Sequence, residues 1–141
     1  MPKTILLEVV TPEKQLLSQQ VHEVIAPGSE GDFGVLPGHC HFLSTLRIGE
    51  LRYRVDDLTK HMAILWGYAE VTPAKVTIMA EIAEKAEDIN IDRAQAAVEQ
   101  AEQRLKAGGL PSEVKEAEIS LEKARLRKKI AQRTREGTHT V

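Results

Sequence analysis

Ala83-Glu84-Lys85-Ala86-Glu87-Asp88-Ile89-Asn90-Ile91-Asp92-Arg93-Ala94 is where this chain changes its grammar. Upstream, turn-forming residues recur at Pro12, Pro27-Gly28, Gly31, Gly34, Pro37-Gly38, Gly49, Gly67 and Pro73. Runs rich in Val, Ile and Leu lie between them at residues 4–10, 20–26, 42–46 and 75–80. Within Glu50-Leu51-Arg52-Tyr53-Arg54-Val55, the apolar Leu51, Tyr53 and Val55 share one face of an extended chain. Short strands with a turn signal about every ten residues predict an antiparallel sandwich or barrel.

Downstream the period changes. Ile91, Ala94, Val98, Ala101 and Leu105 recur at the alternating spacing of one helical stripe. Asn90 is a competent N-cap, and Asp92 suits the positive end of the helix. Gly108-Gly109 ends this helix, because glycine tolerates left-handed backbone. A second helix begins near Pro111 or Ser112, and Val114, Ala117, Leu121 and Ala124 repeat the stripe. The linker Gly108-Gly109-Leu110-Pro111-Ser112 predicts an antiparallel hairpin. Its alanine-rich seams bury little apolar area, so the pairing is weak. Ile119, Leu126 and Ile130 form a second stripe opposite the first. A helix wedged between its partner and a sheet would have that pattern, and so would a helix that exchanges partners.

Composition bounds the function. The chain has 141 residues, 42% hydrophobic and 28% charged, an ordinary globular balance. No apolar run approaches the ~20 residues of a membrane-spanning helix, and the first ten residues read as a strand rather than a signal peptide. Cys40 is the single cysteine, which excludes an internal disulfide and a paired-cysteine zinc site. Aromatic residues are only 4%, which argues against a base-stacking platform. The net charge of −2 hides a strong asymmetry. Residues 87–122 carry 4 basic and 9 acidic side chains, whereas residues 123–135 carry 7 basic and none acidic. A basic end of this kind suits an acidic partner.

Catalytic patterns are missing. There is no phosphate-binding loop and no nucleophile elbow in the chain. His39 and His41 share a face if extended, but two histidines alone are a weak metal signal. Cys40 has no adjacent cation to activate it and reads as a small buried hydrophobe. Trp66 and Tyr68, flanking Gly67, are expected in the core. The chain is expected not to be an enzyme.

Gly31-Asp32-Phe33-Gly34-Val35-Leu36-Pro37-Gly38-His39 strongly resembles the Gly-Glu-Leu-Gly-Ile-Leu-Pro-Gly-His loop of the epsilon subunit of bacterial F-type ATP synthase. Pro27-Gly28-Ser29-Glu30, Ile48-Gly49-Glu50-Leu51-Arg52, Trp66-Gly67-Tyr68-Ala69-Glu70-Val71 and Val76-Thr77-Ile78-Met79-Ala80 also match, in order. The resemblance runs from about residue 4 to 135.

It implies a mainly β plus α fold: an N-terminal ten-stranded β-sandwich over 1–86, then an antiparallel two-helix hairpin over 87–141. It implies a non-catalytic subunit of the central stalk of a proton-translocating rotary motor. The subunit would be peripheral to the cytoplasmic side of a bacterial inner membrane. The implied partners are the gamma subunit and the c-ring, touched through Asp32 and His39, with Asp32 a shorter acid than the family's usual Glu. The hairpin resembles the family's regulatory arm, which extends to inhibit ATP hydrolysis. As one helical span, residues 91–134 would reach about 65 Å. Lys123, Arg125, Arg127, Lys128, Lys129 and Arg133 would then meet an acidic segment of the catalytic beta subunit. Some members hold a regulatory ATP through Ile/Leu-Asp-x-x-Arg-Ala. Here Asn90 and Arg93 occupy the two polar positions, and Asn90 lacks the carboxylate. No other cofactor and no nucleic acid is implied. The alternative is a salt-sensitive module that binds anionic surfaces or nucleic acid through the basic helix.

Overall fold

The computed structural model of the chain describes residues 4–38 and 41–135. Eight strands come first: β1 (Ile5–Val10), β2 (Gln15–Val21), β3 (Glu23–Gly28), β4 (Gly31–Val35), β5 (Phe42–Leu46), β6 (Gly49–Val55), β7 (Leu58–Thr72) and β8 (Lys75–Lys85). A 3₁₀ turn at Ala86–Asp88 leads into α1 (Ile91–Ala107) and α2 (Pro111–Arg135). His39 and Cys40, including the expectation that Cys40 is a buried hydrophobe, lie outside the described residues.

Alternating sequence makes alternating burial. On β1, Ile5, Leu7 and Val9 are buried while Leu6, Glu8 and Val10 are half-buried. On β6, Leu51 and Tyr53 point inward, and Glu50, Arg52 and Arg54 point away from them. Burial and the charge of Glu87 push the Tyr53 phenol up to about 12. The inward rows meet in one core that includes Leu7, Val24, Leu51, Met62, Ile64 and Ile78.

Among the described residues the sandwich has eight strands rather than the expected ten, because two strands serve both layers. The first half of β7 pairs with β6 from Gly49↔Ile64 to Val55↔Leu58. Its second half pairs with β5 from Leu46↔Gly67 to Phe42↔Val71. β8 follows it antiparallel along its length, from Met62↔Lys85 to Thr72↔Lys75, and pairs in parallel with β1 near its start.

The crossing resets the alternation. Met62 and Ile64 face the core before Trp66; Ala69 and Val71 face it afterwards. The reset sits at Trp66, whose φ is 58°, and at Gly67, whose φ is 150°. A side chain at Gly67 would place Cβ 2.1 Å from the Met79 carbonyl oxygen. Glycine is therefore required there. The reset also corrects the expectation that Trp66 and Tyr68 are core residues: they are 37% and 56% exposed.

Asn90 caps α1, its Oδ1 accepting from the Arg93 amide at 3.0 Å. Gly108 ends α1 with φ 72°. The two helices join through Val98, Ala101, Leu121 and Ala124, with Leu105 at the edge. The second stripe of α2 is wedged against the sheet. Leu126 and Ile130 pack on Ile48, Ala63, Leu65 and Ala86, with Ile89 and Ile119 beside them.

Candidate functional site

The surface beneath α2 has its origin in β7. Met62-Ala63-Ile64-Leu65 is apolar without a break because both faces of the strand are covered. Met62 and Ile64 fill the sandwich, while Ala63 and Leu65 lie under the helical arm. Fully burying a side chain such as Ile130 or Leu65 contributes roughly 1.5–3 kcal/mol. Alanine on the sandwich side keeps the total modest.

Charged groups frame this apolar strip. Glu50 stands on the outward row of β6 with its side chain only 9% exposed. Arg133 donates to both of its oxygens, Nε to Oε2 at 2.6 Å and Nη2 to Oε1 at 3.1 Å. His61 Nδ1 lies 2.7 Å from Oε2, and Lys129 Nζ lies 3.9 Å from Oε1. Burial by itself would raise the Glu50 carboxyl. The bonds from His61 and Arg133, with their charges, outweigh it and hold the group down at about 2. Arg127 Nε donates to Glu84 Oε1 at 2.7 Å. Lys123 Nζ lies 4.9 Å from the Trp66 ring centroid, a cation–π distance.

The basic residues of α2 therefore split. Lys123, Arg127, Lys129 and Arg133 turn toward the sandwich. Arg125 reaches back to Glu102 of α1 at 3.4 Å. Lys128 has no ion pair among the described residues. Docked in this way, four of the six cations face the sandwich and a fifth, Arg125, faces α1.

At the root of the arm, Asn90 and Arg93 line a cavity of about 350 Å³ together with Glu84, Asp88, Ala94 and Arg127. It brings together the sandwich, α1 and α2. Arg93 and Arg127 could engage phosphate oxygens; Asn90 has already committed its Oδ1 to the helix cap.

Asp32, within the Gly- and Pro-rich stretch 27–38, does not project from a loop. It lies in β4, opposite Pro27. Arg47 binds it directly and Arg52 Nη2 lies 3.9 Å away. Its carboxylate is half-exposed at one edge of the sandwich. His39 lies outside the described residues.

Comparison with known proteins now bears on this architecture. The family model "ATP synthase, Delta/Epsilon chain, beta-sandwich domain" matches residues 4–86. The companion "long alpha-helix domain" matches residues 87–132. The chain belongs to the ATP synthase delta/epsilon family. An ATP synthase epsilon chain of Syntrophobacter fumaroxidans is 50% identical over 95% of this chain and 100% of the relative. One from Citrifermentans bemidjiense is 48% identical over 93% and 96%. A chain in the Euglena gracilis mitochondrial ATP synthase shares the fold at TM-score 0.77 and 24% identity, covering 89% of this chain and 79% of that one. The family is a subunit family of the synthase. No helix among the described residues is long and apolar enough to cross a membrane.

Set beside the family's sequence pattern, the structure adds residues that sequence reasoning passed over. Glu50, His61 and Glu84 form the sandwich side of the docking surface. Their only signal was an acidic or histidine side chain on the outward row of a strand, which is where solvated residues also stand. A second surface is apolar: Leu43, Tyr68 and Met79 are exposed large hydrophobics on the outward rows of the adjoining strands β5, β7 and β8. Tyr68 and Met79 also line a groove with Val10, Pro12 and Gly67. Exposed apolar side chains gathered on one face are available for a protein contact.

Proposed function

We propose that this chain is the epsilon subunit of the central stalk of a bacterial proton-translocating ATP synthase, coupling c-ring rotation to the catalytic head through the gamma subunit. The stiff sandwich, residues 1–86, is the coupling element. Residues 87–141 are a regulatory arm that rises to inhibit ATP hydrolysis. In this reading it sits at the cytoplasmic face of the inner membrane, peripheral to it.

The observation that carries the reading is the docking of α2. Its apolar strip is small, and its cations pair with carboxylates of the sandwich. Such contacts are exchangeable for those of another acidic surface, the condition for two states of similar free energy. An acidic segment of the catalytic beta subunit would take over Arg127, Lys129 and Arg133 when the arm rises, with Lys123, Arg125 and Lys128 beside them. The apolar patch around Tyr68 and Met79 suits the gamma subunit, and the Asp32 edge with His39 suits the ring. The same ion pairs weigh against a nucleic-acid module, because the basic face is already engaged.

The cavity at the arm's root is where a regulatory ATP would sit. Asn90, Arg93 and Arg127 come from both helices there, so a nucleotide would favour the docked arm.

The test is ATP hydrolysis by the matching catalytic head depleted of this subunit, with add-back of the full chain or of residues 1–87. Slowing by the full chain alone supports the arm. Equal binding of both forms without slowing by either would leave a pure coupling element.

A further inference from the structure

We propose that Glu50 is the latch of the helical arm: its pairing with Arg133, aimed by His61, decides whether α2 lies on the sandwich. The proposal deepens the regulatory reading and rests on the arm being movable.

Position singles out this contact. α2 runs back along α1, so Arg133 lies about one turn beyond Ile130, which packs in one cluster with Ala86 at the root of the arm. α2 reaches the sandwich backbone only through α1, so its own side-chain contacts decide whether it stays docked.

Burial singles it out as well. The Glu50 side chain is nearly enclosed, whereas the acidic partners in the Arg127–Glu84 and Arg125–Glu102 pairs are a third to a half exposed. Exposed pairs contribute little. A near-buried carboxylate with bidentate arginine fixes geometry as well as charge. The apolar strip, with Ala63 and Ala86 on one side, specifies register poorly.

The latch can open without leaving a costly orphan. On lifting, Glu50 loses Arg133 and Lys129, but water reaches it and His61 remains 2.7 Å away on β7. His61 belongs to the sandwich, so it keeps the carboxylate aimed for recapture. Arg133 leaves with its fork intact and can grip another carboxylate. One acid is exchanged for another.

The experiment uses the full chain and three variants: Glu50→Gln, Arg133→Gln and the double variant. Amide hydrogen exchange is read for α2 residues 119–133, with β1 and β8 as internal controls. The latch predicts at least tenfold faster exchange in α2 for each single variant, unchanged β1 and β8, and a double variant no faster than either single one. Exchange in α2 within twofold of the parent, or additive effects in the double variant, overturns the proposal. If Glu50→Gln also loosens β1 and β8, Arg133→Gln decides alone, since it leaves every residue of the sandwich in place. A loosened arm that still inhibits hydrolysis normally would sustain the latch and refute the regulatory reading; a failed latch with an intact inhibitory arm would do the reverse.

Discussion

Lys123 of α2 lies over the indole of Trp66, 4.9 Å from the ring centroid, at the point where β7 crosses between layers. The kink that gives Trp66 its positive φ also turns the ring out to meet the arm. Trp66 is the single tryptophan of the chain, so its emission reports the arm directly. Raising the arm is expected to expose the ring and shift its emission to the red. Replacing Lys123 with Gln should remove the contact at a cost under about 1 kcal/mol. Emission unchanged between residues 1–87 and the full chain would show that the arm does not cover Trp66.

Acid should loosen the arm through Glu50. Its folded pKa, about 2, lies below the ordinary 4.5. A depressed carboxylate contributes stability that is fully present above the unfolded value and is lost as pH falls through the folded one. The window therefore runs from about pH 4.5 down to 2, and the contribution is roughly 3 kcal/mol at most. The groups facing Glu50 are His61 from β7 and Lys129 and Arg133 from α2. Asp32, Arg47, Arg52 and Glu122 line the adjoining cavity. The difference in stability between the parent chain and Glu50→Gln should narrow across that window. A difference independent of pH would contradict this assignment.

Cutting the chain after Glu87 should leave a folded sandwich, because the strand pairings and main core lie wholly upstream. The truncation uncovers Ile48, Ala63 and Leu65, all buried in the full chain. Residues 1–87 are expected to keep cooperative unfolding and bind a hydrophobic dye more strongly than the full chain. Loss of cooperative unfolding would place the domain division elsewhere.

Gly67→Ala should destabilise the sandwich by about 2 kcal/mol or more. The added Cβ would meet the Met79 carbonyl and Ala80 backbone, at a φ that L residues rarely adopt. Thermal unfolding measures the effect, and a melting temperature within 2 °C or so of the parent would show that the crossing relaxes.

Replacing Arg125, Arg127, Lys128 and Lys129 with Ala is expected to weaken inhibition of hydrolysis by the add-back chain. An unchanged inhibition curve would remove the charge argument for the arm's raised state.

Local pattern determined much of this protein. The alternation at Leu51 and Tyr53, the helical stripe at Ala94, Val98 and Ala101, the Asn90 cap and the Gly108 stop depend on neighbours a few residues away, so sequence spacing alone announces them. The two stripes of α2 were legible too, but not which surface the second one meets. Tertiary structure decided what depends on distant pairings. The crossing of β7 and β8 merged expected strands into eight and turned Trp66 and Tyr68 outward, because a positive φ resets a two-residue period with no trace in composition. The pairing of Glu50 with Arg133 spans 83 residues of sequence. An acid on a strand and a base on a helix read as solvated faces until folding removes the water between them.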